Sequence, residues 1–151
     1  FDGKKPEFIA ADSFDEIIDK SKNKVLKLIN DEKFIGRDIA ILSDQSMKPS
    51  NYDSTNSLRK NLEENSLEVI SAREYAMPYI RENYENRITF DSIKRFKGLE
   101  KPIIILVNLD ADIDSEEKMR DIYSGLSRAR GHLIIISNQQ SINYLKELYT
   151  N

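Results

Sequence analysis

The chain has 151 residues, of which 39% are hydrophobic and 32% are charged, and its formal net charge at pH 7 is −3. This length and composition are typical of one soluble domain with a sizeable core. No apolar run approaches the roughly 20 residues that span a bilayer, so no membrane partner is expected. The lack of cysteine excludes disulfide partners and thiolate metal sites and is compatible with the reducing cytoplasm, where we expect the protein.

The predicted elements begin with a strand at residues 6–10. Ser13, with Glu16 three residues later, has the form of a capping box and predicts the start of a helix. Gly36 is the predicted stop of that helix. Apolar residues at three- and four-residue spacing predict its buried face: Phe14, Ile17, Ile18, Val25, Leu28 and Ile29.

After Gly36, predicted strands and helices continue to alternate along the chain. The predicted elements are, in order, a buried strand at 38–43, a polar loop at 44–54, a helix at 57–64 and a strand at 67–71. Residues 73–85 have a helical composition, but Pro78 interrupts them and their aromatic residues define no face. They therefore receive no firm assignment.

The remaining sequence predicts strands at 88–91 and 102–109, a helix at 115–130, a strand at 132–137 and a helix at 141–149. Strands that alternate with helices and are apolar on both faces indicate a parallel sheet covered on both sides. We therefore predict one α/β domain over residues 1–151, with a three-layer, mostly parallel sheet and helices on both faces. Because the sequence opens at Phe1 without methionine, we expect a piece of a longer protein.

The segment at residues 92–100 combines groups that suit a phosphate backbone and a sugar. Parallel sheets place ligands at the carboxyl ends of their strands, where this segment is predicted to lie. Ser92 offers a hydroxyl, and Lys94 and Lys97 offer cations. Gly98 permits close approach of a ligand, and Glu100 is an acceptor for a sugar hydroxyl. The alternative is an ordinary turn between two strands, made by Gly98.

A local strip of cations stands out on this acidic chain. The net charge of −3 argues against a protein that grips nucleic acid through an overall basic field. Four cations nevertheless fall in one short window: Lys94, Arg95, Lys97 and Lys101. They form either a local binding strip or ordinary solvated side chains.

A second segment places an arginine near the end of the predicted helix at 115–130. Arg128 carries a planar, permanently charged fork that suits phosphate oxygens. Arg130 is interpreted as a supporting cation. The alternative is that both arginines complement the dipole at a helix C-terminus.

Together the two segments resemble motifs V and VI of superfamily 1 DNA helicases of the UvrD/Rep type. The matching residues are Ser92 with Lys97-Gly98-Leu99-Glu100, and Tyr123-Ser124-Gly125-Leu126-Ser127-Arg128-Ala129. Lys94 stands where the family has histidine, and Ser92 and Ser127 stand where it has threonine. The resemblance implies the second, C-terminal RecA-like motor domain, a P-loop NTPase-like fold without its own P-loop.

The resemblance also implies roles for individual residues. Arg128 would be the catalytic arginine finger aimed at the ATP γ-phosphate. Glu100 and Gly98 would bind the nucleotide, with Glu100 meeting the ribose. The residues expected to contact single-stranded DNA are Ser92, Lys94 and Lys97.

The parts that hold nucleotide phosphates and metal are absent from this sequence. No Gly-x-x-x-x-Gly-Lys-Ser/Thr loop and no Asp-Glu pair after an apolar strand occur. The resemblance implies that ATP with Mg²⁺ is bound mainly by an N-terminal RecA-like domain of the same polypeptide, and no metal ligand is assigned here. The isolated chain is expected neither to hydrolyse ATP nor to unwind DNA.

Two other classes of protein share parts of this pattern. A non-catalytic or degenerate helicase-like module would bind a nucleotide, a nucleic acid or a protein. A flavodoxin-like signalling domain would have the same alternation of strands and helices, but it needs an acidic cluster after the first strand. Only Asp12 stands there, after Ala10 and Ala11.

Overall fold

The computed structural model describes residues 6–43, 52–65, 67–70, 86–92, 101–107 and 129–150. Within these ranges the helices are α1 (Phe14–Asn30), α2 (Tyr52–Glu64) and α3 (Gln139–Thr150), with a 3₁₀ turn at Gly36–Asp38. The strands are β1 (Glu7–Ala10), β2 (Ile39–Ser43), β3 (Glu68–Ile70), β4 (Arg87–Ser92), β5 (Lys101–Val107) and β6 (Ala129–Ser137).

The six strands form one sheet in the order β1-β6-β5-β2-β4-β3, and every pairing in it is parallel. Parallel strands need crossover connections, which bring cover to both faces of the sheet. Every residue of β2 is buried, and in β5 only Pro102 is exposed. The predicted α/β class with a mostly parallel sheet is therefore confirmed.

Helices lie on both faces of this sheet. α1 and α2 contribute Ile17, Val25 and Leu62, among others, to a core that also holds alternate strand residues such as Ile41 and Ile105. Ile9 of β1 packs against the same core. Because successive strand residues point to opposite faces, Phe8 lies on the other face. There Lys146 of α3 places its Nζ 5.5 Å from the centre of the Phe8 ring, which confirms the third layer.

α1 begins where the capping pattern predicts. Ser13 is extended, and its hydroxyl accepts a hydrogen bond from the Glu16 amide at 3.2 Å. The Glu16 carboxylate in turn accepts from the amide of Asp12 at 3.2 Å. The predicted apolar face is also confirmed: four of its residues are buried and Ile29 is partly buried, while the Phe14 side chain lies outside the described atoms.

Replacing Ser13 with alanine is expected to lower the free energy of unfolding of this chain by about 1 kcal/mol, because the Glu16 amide loses its side-chain acceptor. Urea unfolding followed by circular dichroism measures the change. Asn23→Ala, an exposed substitution in the middle of α1, is the matched control and is expected to cost less than about 0.5 kcal/mol. Equal losses in both variants would contradict the capping role.

The predicted end of α1 at Gly36 is wrong. The helix ends at Asn30, and Lys33 takes a positive φ of 64°. Gly36 instead opens the 3₁₀ turn, where a Cβ would lie 2.6 Å from the carbonyl carbon of Asn86. A glycine is therefore needed for close backbone packing and not for ending a helix.

Other predicted boundaries also change. The loop predicted at 44–54 is wrong for its last three residues, because α2 begins at Tyr52. The helix predicted at 115–130 is wrong for Ala129 and Arg130, which belong to β6 because they lie alongside the start of β5. Tertiary pairing overrides the good helix propensity of these two residues. Residues 71–85, with the unassigned segment 73–85, and residues 115–128 lie outside the described residues.

Candidate functional site

The backbone of Ser92 lies at the carboxyl edge of the sheet. Ser92 is the last residue of β4 and pairs with Ser43, the last residue of β2. Ser43 also pairs with Val107, the last residue of β5. Ser92 thus lies at the edge where its segment is predicted to start, while its role in binding DNA stays a prediction.

The order of the strands creates a crevice at the same edge, between β2 and β5. From β2 the chain continues toward β3 on one side, and from β5 it continues to β6 on the other side. Open parallel sheets bind ligands outside the carboxyl ends of their strands at such a switch point. Ser43 and Val107 mark this crevice, and Ser92 lies one strand away from it.

The other end of the segment 92–100 leads to the opposite edge of the sheet. Lys101, which follows Glu100, is the first residue of β5 and pairs with Ala129, the first residue of β6. The placement predicted for the whole segment, at the carboxyl ends of strands, is therefore wrong at its downstream end. The chain passes from the carboxyl edge at Ser92 to the amino edge at Lys101.

The Lys101–Ala129 pair links the ends of the two predicted motifs. Glu100 precedes Lys101, and Arg128 precedes Ala129. Each is joined by one peptide unit, about 3.8 Å between Cα atoms, to a residue of the same register pair. Five predicted site residues lie outside the described residues, and their roles stay predictions: Lys94, Lys97, Gly98, Glu100 and Arg128.

A β-bulge lies directly after this pair. The register passes from Lys101–Ala129 to Ile103–His132, so that Arg130 and Gly131 together oppose Pro102. A proline has no amide to donate and is tolerated in an inner strand at such an irregularity. A Cβ on Gly131 would lie 3.1 Å from the carbonyl oxygen of Pro102. Arg130 therefore belongs to the bulged start of β6 and not to the predicted helix, while its role as a supporting cation stays a prediction.

The buried position of Lys101 is not evident from the sequence. Lys101 was grouped with the three other cations of its window as part of either a local binding strip or ordinary solvated side chains, but only 5% of its surface is exposed. Its Nζ donates a hydrogen bond to the carbonyl oxygen of Arg37 at 2.7 Å. Burial lowers the pKa of Lys101 from 10.5 to about 8, while Asp38 opposes the shift and Arg37 adds to it. The available signal was that Lys101 directly precedes the proline and apolar run of β5.

Lys101 is expected to make folding depend on pH. Its lowered pKa means that the unfolded chain binds the proton more tightly, so the wild type gains stability as pH rises from 8 toward 10.5. Lys101→Met lacks this dependence. Between pH 7.5 and pH 10, the wild type should gain about 2 kcal/mol relative to this variant in urea unfolding. A constant difference between the two proteins over that range would contradict burial of the charged amine.

Comparisons with known proteins agree with this architecture. No protein-family model matches the chain, and no curated protein matches it in sequence. Among solved structures, the chain is similar to the C-terminal domain of a possible DNA helicase from Lactobacillus plantarum WCFS1. The two share 19% sequence identity with a TM-score of 0.64, over 90% of this chain and 75% of that chain. The chain is a RecA-like α/β domain with the fold of that helicase C-terminal domain.

In the part of the chain that the structure describes, no helix combines the length and apolar character needed to cross a membrane.

Proposed function

We propose that this chain is the C-terminal RecA-like motor domain of a superfamily 1 DNA helicase or translocase of the UvrD/Rep type. The observation that supports the proposal most strongly is the Lys101–Ala129 register pair. Lys101 directly follows the segment 92–100, and Ala129 ends the segment 123–129, and together these two segments resemble helicase motifs V and VI. A nucleotide in contact with both motifs needs their downstream ends close together, and the pair meets that requirement.

The amino edge of β5 and β6 is the proposed nucleotide side. Glu100 offers a carboxylate for a ribose hydroxyl, and Arg128 offers a guanidinium for phosphate oxygens. These two groups fit the two ends of ATP in chemistry. The metal and most phosphate contacts are assigned to the proposed N-terminal domain of the same polypeptide. When bound, ATP supplies the phosphoryl bond whose hydrolysis drives the motor.

The carboxyl edge is the proposed side for single-stranded DNA. Ser92 lies there, next to the crevice between β2 and β5. Six residue steps separate Val107 from Lys101, so the two edges of the sheet are about 20 Å apart. The nine steps from Ser92 to Lys101 reach about 30 Å when fully extended. This segment is therefore long enough to connect the proposed DNA side to the proposed nucleotide side, which is what coupling DNA binding to ATP hydrolysis requires.

The first test is the ATPase activity of the full-length gene product. Hydrolysis that single-stranded DNA stimulates several-fold supports the proposal, as does a Gly-x-x-x-x-Gly-Lys-Ser/Thr loop upstream of Phe1. This 151-residue chain alone is expected to show no hydrolysis. The lack of DNA-stimulated ATP hydrolysis, together with the lack of such a loop upstream, would favour the non-catalytic module instead.

Lys94→Ala and Lys97→Ala are expected to weaken binding of single-stranded DNA by the full-length protein, because each removes a cation that the proposal places against a phosphate. The slope of log Kd against log salt should fall by about 0.7 for each phosphate that is no longer neutralised. Fluorescence anisotropy with a labelled oligonucleotide measures both quantities. Lys27→Ala, an exposed lysine of α1, is the matched control and should leave the slope unchanged. Unaltered slopes in all three variants would remove these lysines from the DNA site.

A further inference from the structure

The pair Lys101–Ala129 is set apart from the rest of the sheet by the bulge at Arg130 and Gly131. A bulge interrupts the regular ladder of hydrogen bonds and changes the direction of the strand that carries it. The regular hydrogen-bond ladder of β5 and β6 therefore holds the Lys101–Ala129 pair less firmly than it holds the pairs beyond the bulge. A fixed position for the pair needs an additional anchor.

The Lys101 side chain provides that anchor. Its Nζ donates to the carbonyl oxygen of Arg37 at 2.7 Å, across 64 positions of sequence. Arg37 lies in the 3₁₀ turn, which the Asp38 carboxylate closes by accepting from the Ile35 amide at 3.2 Å. Gly36 of the same turn packs against the backbone of residues 86 and 87. Lys101 therefore ties the start of β5 to a turn that is itself held on two sides.

We propose that Lys101 is a positioning residue, which anchors the start of β5 to the 3₁₀ turn and thereby holds Glu100 against the ribose of the bound nucleotide. The inference rests on the proposed function, since Glu100 is assigned to the ribose only there. Glu100 is one peptide unit from Lys101, so a shift of the Lys101 backbone moves the carboxylate directly. The same anchor steadies Ala129, which pairs with Lys101 and directly follows Arg128.

The ratio of the Kd of a deoxy analogue to the Kd of ATP reports whether Glu100 contacts the ribose. This ratio is the measure of discrimination. The full-length protein in an Arg128→Ala background, where bound ATP is expected to persist, is titrated by calorimetry with ATP, 2′-deoxy-ATP and 3′-deoxy-ATP. A hydrogen bond from a sugar hydroxyl to a carboxylate should make ATP bind roughly 10-fold more tightly than the analogue that lacks this hydroxyl. Glu100→Ala should reduce the ratio to about one.

Lys101→Met keeps the length of the apolar stem but removes the donor to Arg37, and it is expected to reduce the ratio to less than about threefold. Lys101→Gln is the second variant, because its side chain is one atom shorter and cannot reach the Arg37 carbonyl. Lys27→Met, on the exposed surface of α1, is the matched control and should keep the full ratio. A variant that only loses stability would weaken binding of all three nucleotides equally and leave the ratio intact.

The outcomes separate this inference from the function on which it rests. If Glu100→Ala abolishes the discrimination and the folded Lys101 variants keep it, the positioning role is overturned and the proposed function stands. If the Arg128→Ala parent protein shows no discrimination, or hydrolyses ATP at the normal rate, the proposed function fails first. Loss of the ratio in both Lys101 variants, but not in Lys27→Met, establishes the positioning role.

Discussion

Replacing Arg128 with alanine in the full-length protein is expected to lower kcat for DNA-stimulated ATP hydrolysis by roughly 10³- to 10⁵-fold. Negative charge that develops on the γ-phosphate during phosphoryl transfer would lose the guanidinium that offsets it. ATP binding should stay largely intact, because most phosphate contacts belong to the proposed N-terminal domain. Steady-state hydrolysis with saturating single-stranded DNA, together with calorimetric titration of ATP, measures the two effects separately.

Two further variants make this test specific. Arg128→Lys keeps one positive charge but loses the planar fork, so it should recover only a small part of the lost rate. Arg59→Ala is the matched control, because Arg59 lies on α2 and pairs with Glu63 at 3.0 Å, far along the chain from both motifs. Normal turnover in Arg128→Ala, or an equal loss in Arg59→Ala, would end the assignment of Arg128 as the arginine finger.

The fold could be predicted from the sequence because its signals are local. The apolar runs of β5 and β2 are each continuous in sequence, and burial on both faces follows from such runs. The signal for the start of α1 is equally local, since Ser13 and Glu16 are three residues apart. These features need no knowledge of distant residues, and the structure confirms them.

The arrangement of the candidate site could not be predicted in the same way. Nothing near Lys101 in sequence shows that its amine reaches Arg37, 64 positions earlier. The register that pairs Lys101 with Ala129 depends on one extra residue in β6, and a bulge has no reliable local signal. The motif resemblance assigned roles to Glu100 and Arg128, but the two edges of the sheet became apparent only once the strands were placed.

In the proposed motor, DNA and nucleotide bind at opposite edges of the sheet. DNA contacts are assigned to the carboxyl edge at Ser92 and nucleotide contacts to the amino edge beside Lys101. In the proposed motor, the segment from Ser92 to Lys101 connects the DNA side directly to the nucleotide side. The buried strands β2 and β5 between the edges are stiff, because a close-packed core resists deformation.

The 3₁₀ turn supports this arrangement, and Gly36 is the residue on which its packing depends most. Gly36→Ala is expected to lower the free energy of unfolding of the chain by about 3 kcal/mol, at the upper end for overpacking. The added Cβ would lie 2.6 Å from the carbonyl carbon of Asn86 and 2.8 Å from the amide nitrogen of Arg87. Both neighbours are backbone atoms of the chain entering β4, so no side chain can move aside to relieve the overlap.

Urea unfolding followed by circular dichroism measures this loss, and Gly131→Ala is the matched comparison. The Cβ at position 131 would have its close contact at 3.1 Å, with the Pro102 carbonyl oxygen, so a shift of a few tenths of an ångström relieves it and the loss should be about 1 kcal/mol. Because the turn carries the Arg37 carbonyl, Gly36→Ala should also weaken the Lys101 anchor and reduce the pH dependence of stability between pH 7.5 and pH 10. A Gly36→Ala protein as stable as the wild type would show that the turn can move away from β4, and a turn that moves so easily could not hold Lys101 in place.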